Sequence, residues 1–225
     1  MQEIISLIER WEIRAVIFDL DGTLVDNNEF HLRSWRKYLE DRKIDISEED
    51  YLANINGRTN KDAVEYIYQR KMSDEEAMHY ALEKEAVYRE MYAPFIKPVA
   101  GLLPMLERLH EKNLPMAIAT SGIQVNIDFM FEHLGIRRYF KTVVNSAHIK
   151  KGKPDPEIYQ KTALQLKVEP NNCLVFEDAV VGIRAAHAAG MKVIALTTTH
   201  SAEELSQADL LIKDYTDLVG NATLL

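Results

Sequence analysis

From Gly101 onward, short apolar runs alternate with amphipathic helical segments, and this alternation constrains the fold more than any other feature of the sequence. Alternation of this kind is typical of a parallel sheet with helices on both faces. The predicted strands are Ala15–Phe18, Met116–Ala119, Thr142–Val144, Cys173–Phe176, Val193–Leu196 and Leu210–Ile212. The first of these runs is apolar throughout, as expected of a strand buried on both faces. We therefore expect an α/β fold built on a central parallel sheet.

A long helical block interrupts the alternation between the first and second predicted strands. Residues 28–97 show helical periodicity, with acidic residues in the first turn of two of the segments, and prolines close the block. We therefore predict two units, a core formed by residues 1–27 and 98–225 and an inserted all-helical cap formed by residues 28–97. The expected hinges between them lie near Asp26 and Lys97.

The stretch from Asp19 to Leu24, with the sequence DLDGTL, directly follows the first predicted strand. Its two carboxylates, two residues apart, lie where open α/β sheets place their ligands. Gly22 supplies a tight turn and Thr23 a hydroxyl group. A solvated turn would have a similar composition, because Asp and Gly are common turn residues. The hexapeptide alone therefore does not decide between a turn and a site.

Three later strand ends carry further polar groups suited to one phosphate and one cation. These are Thr120-Ser121-Gly122 after the second strand, Lys153 within Gly152-Lys153-Pro154-Asp155-Pro156 after the third, and Glu177-Asp178 after the fourth. The carboxyl ends of parallel strands meet at one edge of the sheet, so the four sets of residues are expected to converge. Their convergence favours one functional site over four unrelated surface turns.

These residue types support phosphoryl transfer assisted by magnesium. Mg²⁺ prefers carboxylate and carbonyl oxygens, which Asp19, Asp178 and the backbone carbonyl of Asp21 can offer, with Glu177 as a direct or water-mediated ligand. Asp19 is the expected nucleophile, which would form an aspartyl-phosphate, and Asp21 the expected general acid and base. The residues expected to hold the phosphoryl group are Thr120 and Lys153, with Ser121 and Gly122 beside them.

In this order, the four motifs resemble those of the haloacid dehalogenase superfamily: DxDGT, a Thr at a strand end, a GKPxP lysine and an ED pair. The resemblance covers nearly the whole chain, and the helical block resembles the cap of the β-phosphoglucomutase-like subfamily. It implies a Rossmann-like three-layer core, a substrate-selecting cap, and Mg²⁺ held by Asp19, the Asp21 carbonyl and Asp178. Asp21 also favours phosphoryl transfer over dehalogenation, because the family's dehalogenases lack the second aspartate.

The resemblance leaves hydrolase and mutase open. His31 and Lys84 match mutase cap positions and, with Arg58, are the expected cap contacts of the substrate. The mutase arginine, however, comes three residues after a cap glycine, whereas Arg58 directly follows Gly57. The mutase also has Ser-Lys-Asn at a second phosphate, where this chain has Gly-Ile-Gln, and an apolar side chain cannot replace an ammonium there. We therefore expect Mg²⁺-dependent hydrolysis of a small phosphomonoester, with sugar phosphates first among the candidates and β-phosphoglucomutase as the alternative.

Composition narrows the remaining function classes. The net charge of −8, from 27 basic and 35 acidic residues, disfavours nucleic acid as a partner. Apolar stretches fall short of the roughly 18 residues expected of a membrane span. The single cysteine, Cys173, lies in an apolar run, where we expect it to be buried, and suits a reducing cytoplasm. The expected partner is a small phosphorylated metabolite, and the expected state is a cytoplasmic monomer.

Two remote alternatives remain. A phospho-aspartate signalling domain also combines an acceptor aspartate, an acidic metal site and a lysine, although a general base at Asp21 would shorten the life of the phosphoenzyme. A catalytically silent scaffold would keep the fold, although it would have no need of all four motifs.

Overall fold

The computed structural model describes residues 3–55 and 58–219, and within these ranges it contains a six-stranded parallel sheet. The strands are β1 (Ala15–Phe18), β2 (Met116–Ala119), β3 (Phe140–Val144), β4 (Cys173–Glu177), β5 (Lys192–Leu196) and β6 (Leu210–Ile212). Their spatial order is β3-β2-β1-β4-β5-β6, with β1 hydrogen-bonded in parallel to both β2 and β4. The predicted parallel sheet is thus confirmed, and the chain order of the strands reverses direction at β1.

Helices cover both faces of the sheet, which confirms the three-layer core. The core helices are α1 (Ile4–Arg10), α6 (Leu102–Glu111), α7 (Gln124–Leu134), α8 (Glu157–Leu166), α9 (Val180–Ala188) and α10 (Thr216–Val219). Alternate residues of β1 point to opposite faces: Val16 and Phe18 pack with α1, α6, α7 and α10, whereas Ala15 and Ile17 pack with α8 and α9. Both faces of β1 are therefore buried, as its unbroken apolar run predicts.

The predicted helical block lies between β1 and β2. Its helices are α2 (Asn28–Glu40), α3 (Glu48–Asn54), α4 (Asn60–Tyr68) and α5 (Asp74–Tyr92). A hydroxyl side chain caps the start of α3, α4 and α5 by accepting a hydrogen bond from a first-turn backbone N–H. The helices enclose their own apolar cluster, which includes Trp35, Tyr38 and Val64. Because this cluster is separate from the apolar clusters that flank the sheet, we keep the name cap for the helical block.

The two segments that join the cap to the core run side by side. Val25 pairs with Pro98 in an antiparallel bridge, and the N–H of Val99 donates to the Leu24 carbonyl at 2.9 Å. The hinges expected near Asp26 and Lys97 flank this bridge, and their motion stays a prediction. None of the described helices combines the length and apolar character that a bilayer crossing requires.

Two details of the fold bear on the sequence-based expectations. Cys173 is fully buried on β4, as predicted. Strand β3 begins at Phe140, two residues earlier than predicted, because Phe140 packs into the core while the exposed Lys141 interrupts the apolar run.

Candidate active site

The polar strand ends converge at the carboxyl edge of four neighbouring strands, β3, β2, β1 and β4. This is the position beside a reversal of strand order where open α/β sheets bind ligands. A cavity of about 100 Å³ lies there, between the sheet edge and the cap. Each site residue expected from the sequence lines it: Asp19, Asp21, His31, Arg58, Lys84, Thr120, Ser121, Gly122, Lys153, Glu177 and Asp178. The structure thus brings these residues together, while their chemical roles stay predictions. Gly57, which entered the comparison with the mutase, lies outside the described residues.

Lys153 joins two buried carboxylates. Its Nζ donates to Asp19 Oδ1 at 2.6 Å and to Glu177 Oε1 at 2.5 Å, and all three side chains are almost fully buried. Burial lowers the pKa of Lys153, but the two carboxylates outweigh it and hold that pKa well above its usual value. Lys153 is therefore a fixed positive charge beside Asp19.

Both carboxylate oxygens of Glu177 accept hydrogen bonds from protein groups. Oε1 also accepts from the Tyr159 hydroxyl at 2.8 Å, and Oε2 accepts from the backbone N–H groups of Asp178 and Ala179 at 2.9 and 3.0 Å. Burial raises the pKa of Glu177, but Lys153 and these donors bring it below its usual value. With these four donors, Glu177 is well placed to hold Lys153 in position. Tyr159 is a functional contact that no sequence motif marks.

Gly182 leaves the space that Glu177 occupies. A Cβ at this α9 position would lie 1.8 Å from Glu177 Oε1, an oxygen pinned by Lys153 and Tyr159. We expect Gly182→Ala to displace Glu177, to lower the free energy of unfolding by about 3 kcal/mol and to reduce catalysis. Urea denaturation and a phosphate-release assay measure the two effects. Arg184→Ala, an exposed position on the same helix, is the control, expected within about 0.5 kcal/mol of wild type; equal stability of both variants would contradict the packing argument.

Asp178 is held by residues from the connecting segments rather than by its own strand. Thr199 donates to Asp178 Oδ2, Thr23 donates to Oδ1 at 3.4 Å, and Asn28, the first residue of α2, approaches Oδ2 at 3.4 Å. Gly22 has a φ of +71°, and a Cβ there would lie 2.0 Å from Asp178 Oδ2. Glycine is thus needed in DLDGTL both for the left-handed backbone and for the close approach of Asp178.

The edge carries more buried negative charge than its lysine can neutralise. Asp19, Glu177 and Asp178 can each direct one oxygen to a common point, with these oxygens within 4.8 Å of one another. Burial raises the pKa of Asp19 to about 7, although Lys153 opposes the shift. Burial, together with Glu177 and Asp19, holds the pKa of Asp178 well above its usual range. Buried carboxylates without enough partners are costly, so this donor set fits a hard divalent cation such as Mg²⁺.

Asp21 points into the cavity and is held in its ionised form. Asn27 Nδ2 donates to Asp21 Oδ1 at 2.5 Å, and His31 Nε2 lies 3.3 Å from the same oxygen. Burial raises the pKa of Asp21, but His31 and Asn27 outweigh it and hold that pKa below its usual value. These contacts suit a general base. For Asp21 to act as a general acid, substrate binding must disturb them.

A chain of polar contacts leads from Asp21 across the cap and back to the core. His31 Nδ1 lies 2.8 Å from Lys84 Nζ, which donates to Glu85 Oε1 at 3.1 Å. Glu85 Oε2 accepts from Asn126 on core helix α7 at 2.7 Å. Burial lowers the pKa of Lys84, with Glu85 opposing the shift. Sequence motifs identify His31 and Lys84 but not Glu85 or Asn126, which the fold alone brings to the cavity.

The end of β2 provides hydroxyl and N–H groups suited to an oxyanion. Thr120 Oγ1 accepts from the Gly122 N–H at 3.0 Å, so the hydroxyl proton of Thr120 is free to donate into the cavity. Ser121 Oγ is buried and lacks a hydrogen-bond partner among residues 3–55 and 58–219. Buried polar groups are usually satisfied, so this hydroxyl fits a phosphoryl oxygen or a substrate hydroxyl.

Comparison with known proteins agrees with this geometry. Residues 16–196 match the family model described as haloacid dehalogenase-like hydrolase. The chain belongs to this family. It is 31% identical over 212 residues to a validoxylamine A 7'-phosphate phosphatase of Streptomyces hygroscopicus subsp. limoneus, which covers 91% of this chain and 95% of that protein. It is 32% identical over 180 residues to the fructose-1-phosphate phosphatase YqaB of Escherichia coli (strain K12), covering 80% and 94%.

Similarity to a mutase is also present. A crystal structure of β-phosphoglucomutase from Clostridium difficile superposes with a TM-score of 0.80 at 28% identity, covering 92% of this chain and 93% of that one. Family members of both kinds therefore resemble this chain over most of its length. The family is shown by these similarities, and the choice between its two reactions depends on the site.

Proposed function

We propose that the protein hydrolyses a small phosphomonoester, with sugar phosphates as its substrates, through an aspartyl-phosphate on Asp19. The observation that carries the proposal is the position of Asp19, which is buried, bonded to Lys153 and close to two further carboxylates. The Ser121 hydroxyl, which has no hydrogen-bond partner among the described residues, lines the same cavity. These groups supply a nucleophile, a fixed cation, a metal site and oxyanion donors around one cavity.

Two displacements at phosphorus complete the reaction. In the first, substrate binding disturbs the contacts of Asp21 with His31 and Asn27, and Asp21 takes up a proton from solvent. An Asp19 carboxylate oxygen then bonds to phosphorus, the bond from phosphorus to the ester oxygen breaks, and Asp21 gives this proton to the departing oxygen. In the second, Asp21 takes a proton from water, the resulting oxygen bonds to phosphorus, and the acyl-phosphate bond to Asp19 breaks. Inorganic phosphate leaves, Asp19 is again a carboxylate, and Asp21 holds the proton from water, which it releases to solvent or gives to the next leaving group.

The remaining residues bind and orient the phosphoryl group. Thr120 and Ser121 donate hydrogen bonds to its oxygens, and Lys153 opposes its charge. We propose that Asp19, Asp178 and the Asp21 carbonyl hold Mg²⁺, with Glu177 fixing Lys153 and contributing to the metal only through water. When bound, Mg²⁺ neutralises charge so that the Asp19 carboxylate and an anionic phosphoryl group can approach each other.

The segment after Thr120 favours hydrolase over mutase. Ile123 is buried, and the Gln124 amide is occupied: its oxygen accepts from Asn145 at 2.9 Å and its nitrogen donates to Asp128 at 2.8 Å. Neither side chain carries the positive charge that would attract a second phosphate, which a mutase must bind when its bisphosphate intermediate rebinds. The cavity of about 100 Å³ also suits a small monoester.

A substrate panel tests the function. Purified protein with Mg²⁺ is incubated with hexose, pentose and polyol monophosphates, and free phosphate is measured. We expect release from at least one sugar or polyol phosphate at a kcat/KM of about 10⁴ M⁻¹s⁻¹ or more. Isomerisation of a sugar phosphate without phosphate release would show a mutase instead. A phosphoenzyme that survives for many minutes would show a signalling domain. A cytoplasmic location and a monomeric state stay predictions.

Metal dependence provides a separate prediction. Chelation with EDTA is expected to lower activity at least about 10²-fold, and Mg²⁺ should restore it. Because burial raises the pKa of Asp19 to about 7, protons compete with the cation below that pH, so the affinity for Mg²⁺ should rise as the pH increases toward 7. Calorimetric titration at about pH 6 and about pH 8 measures this; equal affinities at the two values would contradict the assignment of Asp19 as a ligand.

A further inference from the structure

Glu85 is a buried carboxylate on the cavity wall that the proposed reaction does not use. It belongs to α5 of the cap and is 3% exposed. Its two oxygens accept from Lys84 at 3.1 Å and from Asn126 at 2.7 Å. A buried carboxylate is retained at a cost unless it is well paired. These two contacts hold it in one orientation, joined to both the cap and core helix α7.

Glu85 lines the same cavity as Asp21, the proposed proton donor to the leaving group. The His31 ring separates it from Asp21: Nε2 lies 3.3 Å from Asp21 Oδ1, and Nδ1 lies 4.0 Å from Glu85 Oε2. Glu85 therefore lies about one imidazole ring from the carboxyl group that is proposed to protonate the ester oxygen. The hydroxyl groups of a leaving group of sugar size extend over this distance. Trp35 and Ile55 also line the cavity and can pack against the carbon atoms of a sugar.

Glu85 also determines what Lys84 can bind. An unpaired buried ammonium at this place would attract a second anionic group. In the structure, the Lys84 ammonium faces the Glu85 carboxylate at 3.1 Å, so the pair is neutral as a whole. A carboxylate oxygen has more than one lone pair, so Glu85 can accept a substrate hydroxyl while it keeps Lys84 and Asn126. An anionic leaving group would instead gain no net attraction from this neutral pair. Placed against the Glu85 oxygens, it would meet a like charge in a site of low dielectric constant. Arg58, the other cap cation on the wall, is exposed and therefore screened by water.

We propose that Glu85 is the specificity-determining residue of the cap, and that it selects monophosphates whose leaving group is neutral and rich in hydroxyl groups over those whose leaving group carries a carboxylate or a second phosphate. This inference rests on the proposed phosphatase function. It assigns the selection to one residue, and it predicts which way selectivity changes when the charge of that residue is removed.

The test compares two monophosphates in wild type and Glu85→Gln: a hexitol phosphate, with a neutral polyol leaving group, and phosphoglycolate, with a carboxylate in its leaving group. In wild type, kcat/KM for hexitol phosphate is expected to exceed that for phosphoglycolate by about tenfold or more. In Glu85→Gln, the ratio of the two kcat/KM values is expected to fall about tenfold or more, because a hydroxyl acceptor is weakened and Lys84 is left unpaired. Glu83→Gln is the control: Glu83 lies on the same helix but is exposed and paired with Arg42, so the ratio should not change.

Each alternative outcome has a distinct reading. If Glu85 only supports the fold or acts through Asp21, both substrates lose activity by the same factor, the ratio is unchanged, and the inference is overturned. If Glu85→Gln does not fold, the substrate preference of the wild-type protein is the test. Hydrolysis of phosphoglycolate at a kcat/KM equal to or above that of hexitol phosphate overturns the inference. If wild type releases no phosphate from any ester, the proposed function fails. In that case, calorimetry measures the dissociation constants of both esters on Asp19→Asn and on Asp19→Asn/Glu85→Gln. The ratio of the two affinities then replaces the ratio of the two kcat/KM values.

Discussion

Asp19→Asn is expected to abolish phosphate release, with a loss in kcat of at least about 10⁴-fold. The substitution removes the oxygen nucleophile, and an amide cannot form the acyl-phosphate on which both displacements depend. The fold should survive, because the amide is close in size to the carboxylate, and Lys153 keeps its bond to Glu177 at 2.5 Å. The measurements are phosphate release under saturating substrate and Mg²⁺, and thermal unfolding followed by circular dichroism.

The control for this variant is Asp41→Asn. Asp41 lies on the cap surface, where its half-exposed side chain pairs with Lys37, so activity and melting temperature should match wild type. A trapping experiment adds a direct readout: acid quench during turnover should recover labelled phosphate on wild-type protein but not on Asp19→Asn. Turnover by Asp19→Asn near the wild-type rate would remove Asp19 as the nucleophile and, with it, the proposed mechanism.

Much of this architecture follows from short-range features of the sequence. The apolar run of β1 predicts burial on both faces, and Val16 and Ile17 do pack on opposite sides of the sheet. The strand-end motifs are readable because parallel strands bring their carboxyl ends to one edge. Asp19, Thr120, Lys153 and Asp178 accordingly line one cavity, although up to 159 positions separate them along the chain.

The residues that the sequence does not reveal are those whose function depends on packing between units. Glu85 contacts Asn126 across 41 positions, and Asn28 contacts Thr199 across 171. Helical spacing places Glu85, but not Glu83, on the same face of α5 as Ala81 and Tyr88. It does not show that core helix α7 contacts that face, where Glu85 is buried while Glu83 is exposed. Periodicity indicates which residues share a helix face, but not which neighbouring element covers that face. Contacts of this kind therefore follow only from the three-dimensional arrangement of the cap on the core.

Lys153→Met is expected to damage both stability and catalysis. The side chain is almost fully buried between Asp19 and Glu177, and removing it leaves two buried carboxylates without their shared cation. Breaking such an arrangement costs about 3–5 kcal/mol, which corresponds to a decrease in melting temperature of roughly 6–20 °C for a chain of this length. Loss of a fixed charge at the phosphoryl group should lower kcat by about 10²–10³-fold. Calorimetry and the phosphate-release assay measure the two losses.

Mg²⁺ separates the structural part of this effect from the catalytic part. A bound cation neutralises the carboxylates that Lys153→Met leaves unpaired, so saturating Mg²⁺ should recover several degrees of the lost melting temperature, and more than it adds to wild type. It should not recover kcat, because the ammonium is still missing from the phosphoryl group. Lys151→Met, two residues away and three-quarters exposed, is the matched control and should behave as wild type. If Lys153→Met were as stable as wild type without Mg²⁺, Asp19 and Glu177 would not depend on a shared cation. The charge balance from which we infer the metal site would then be wrong.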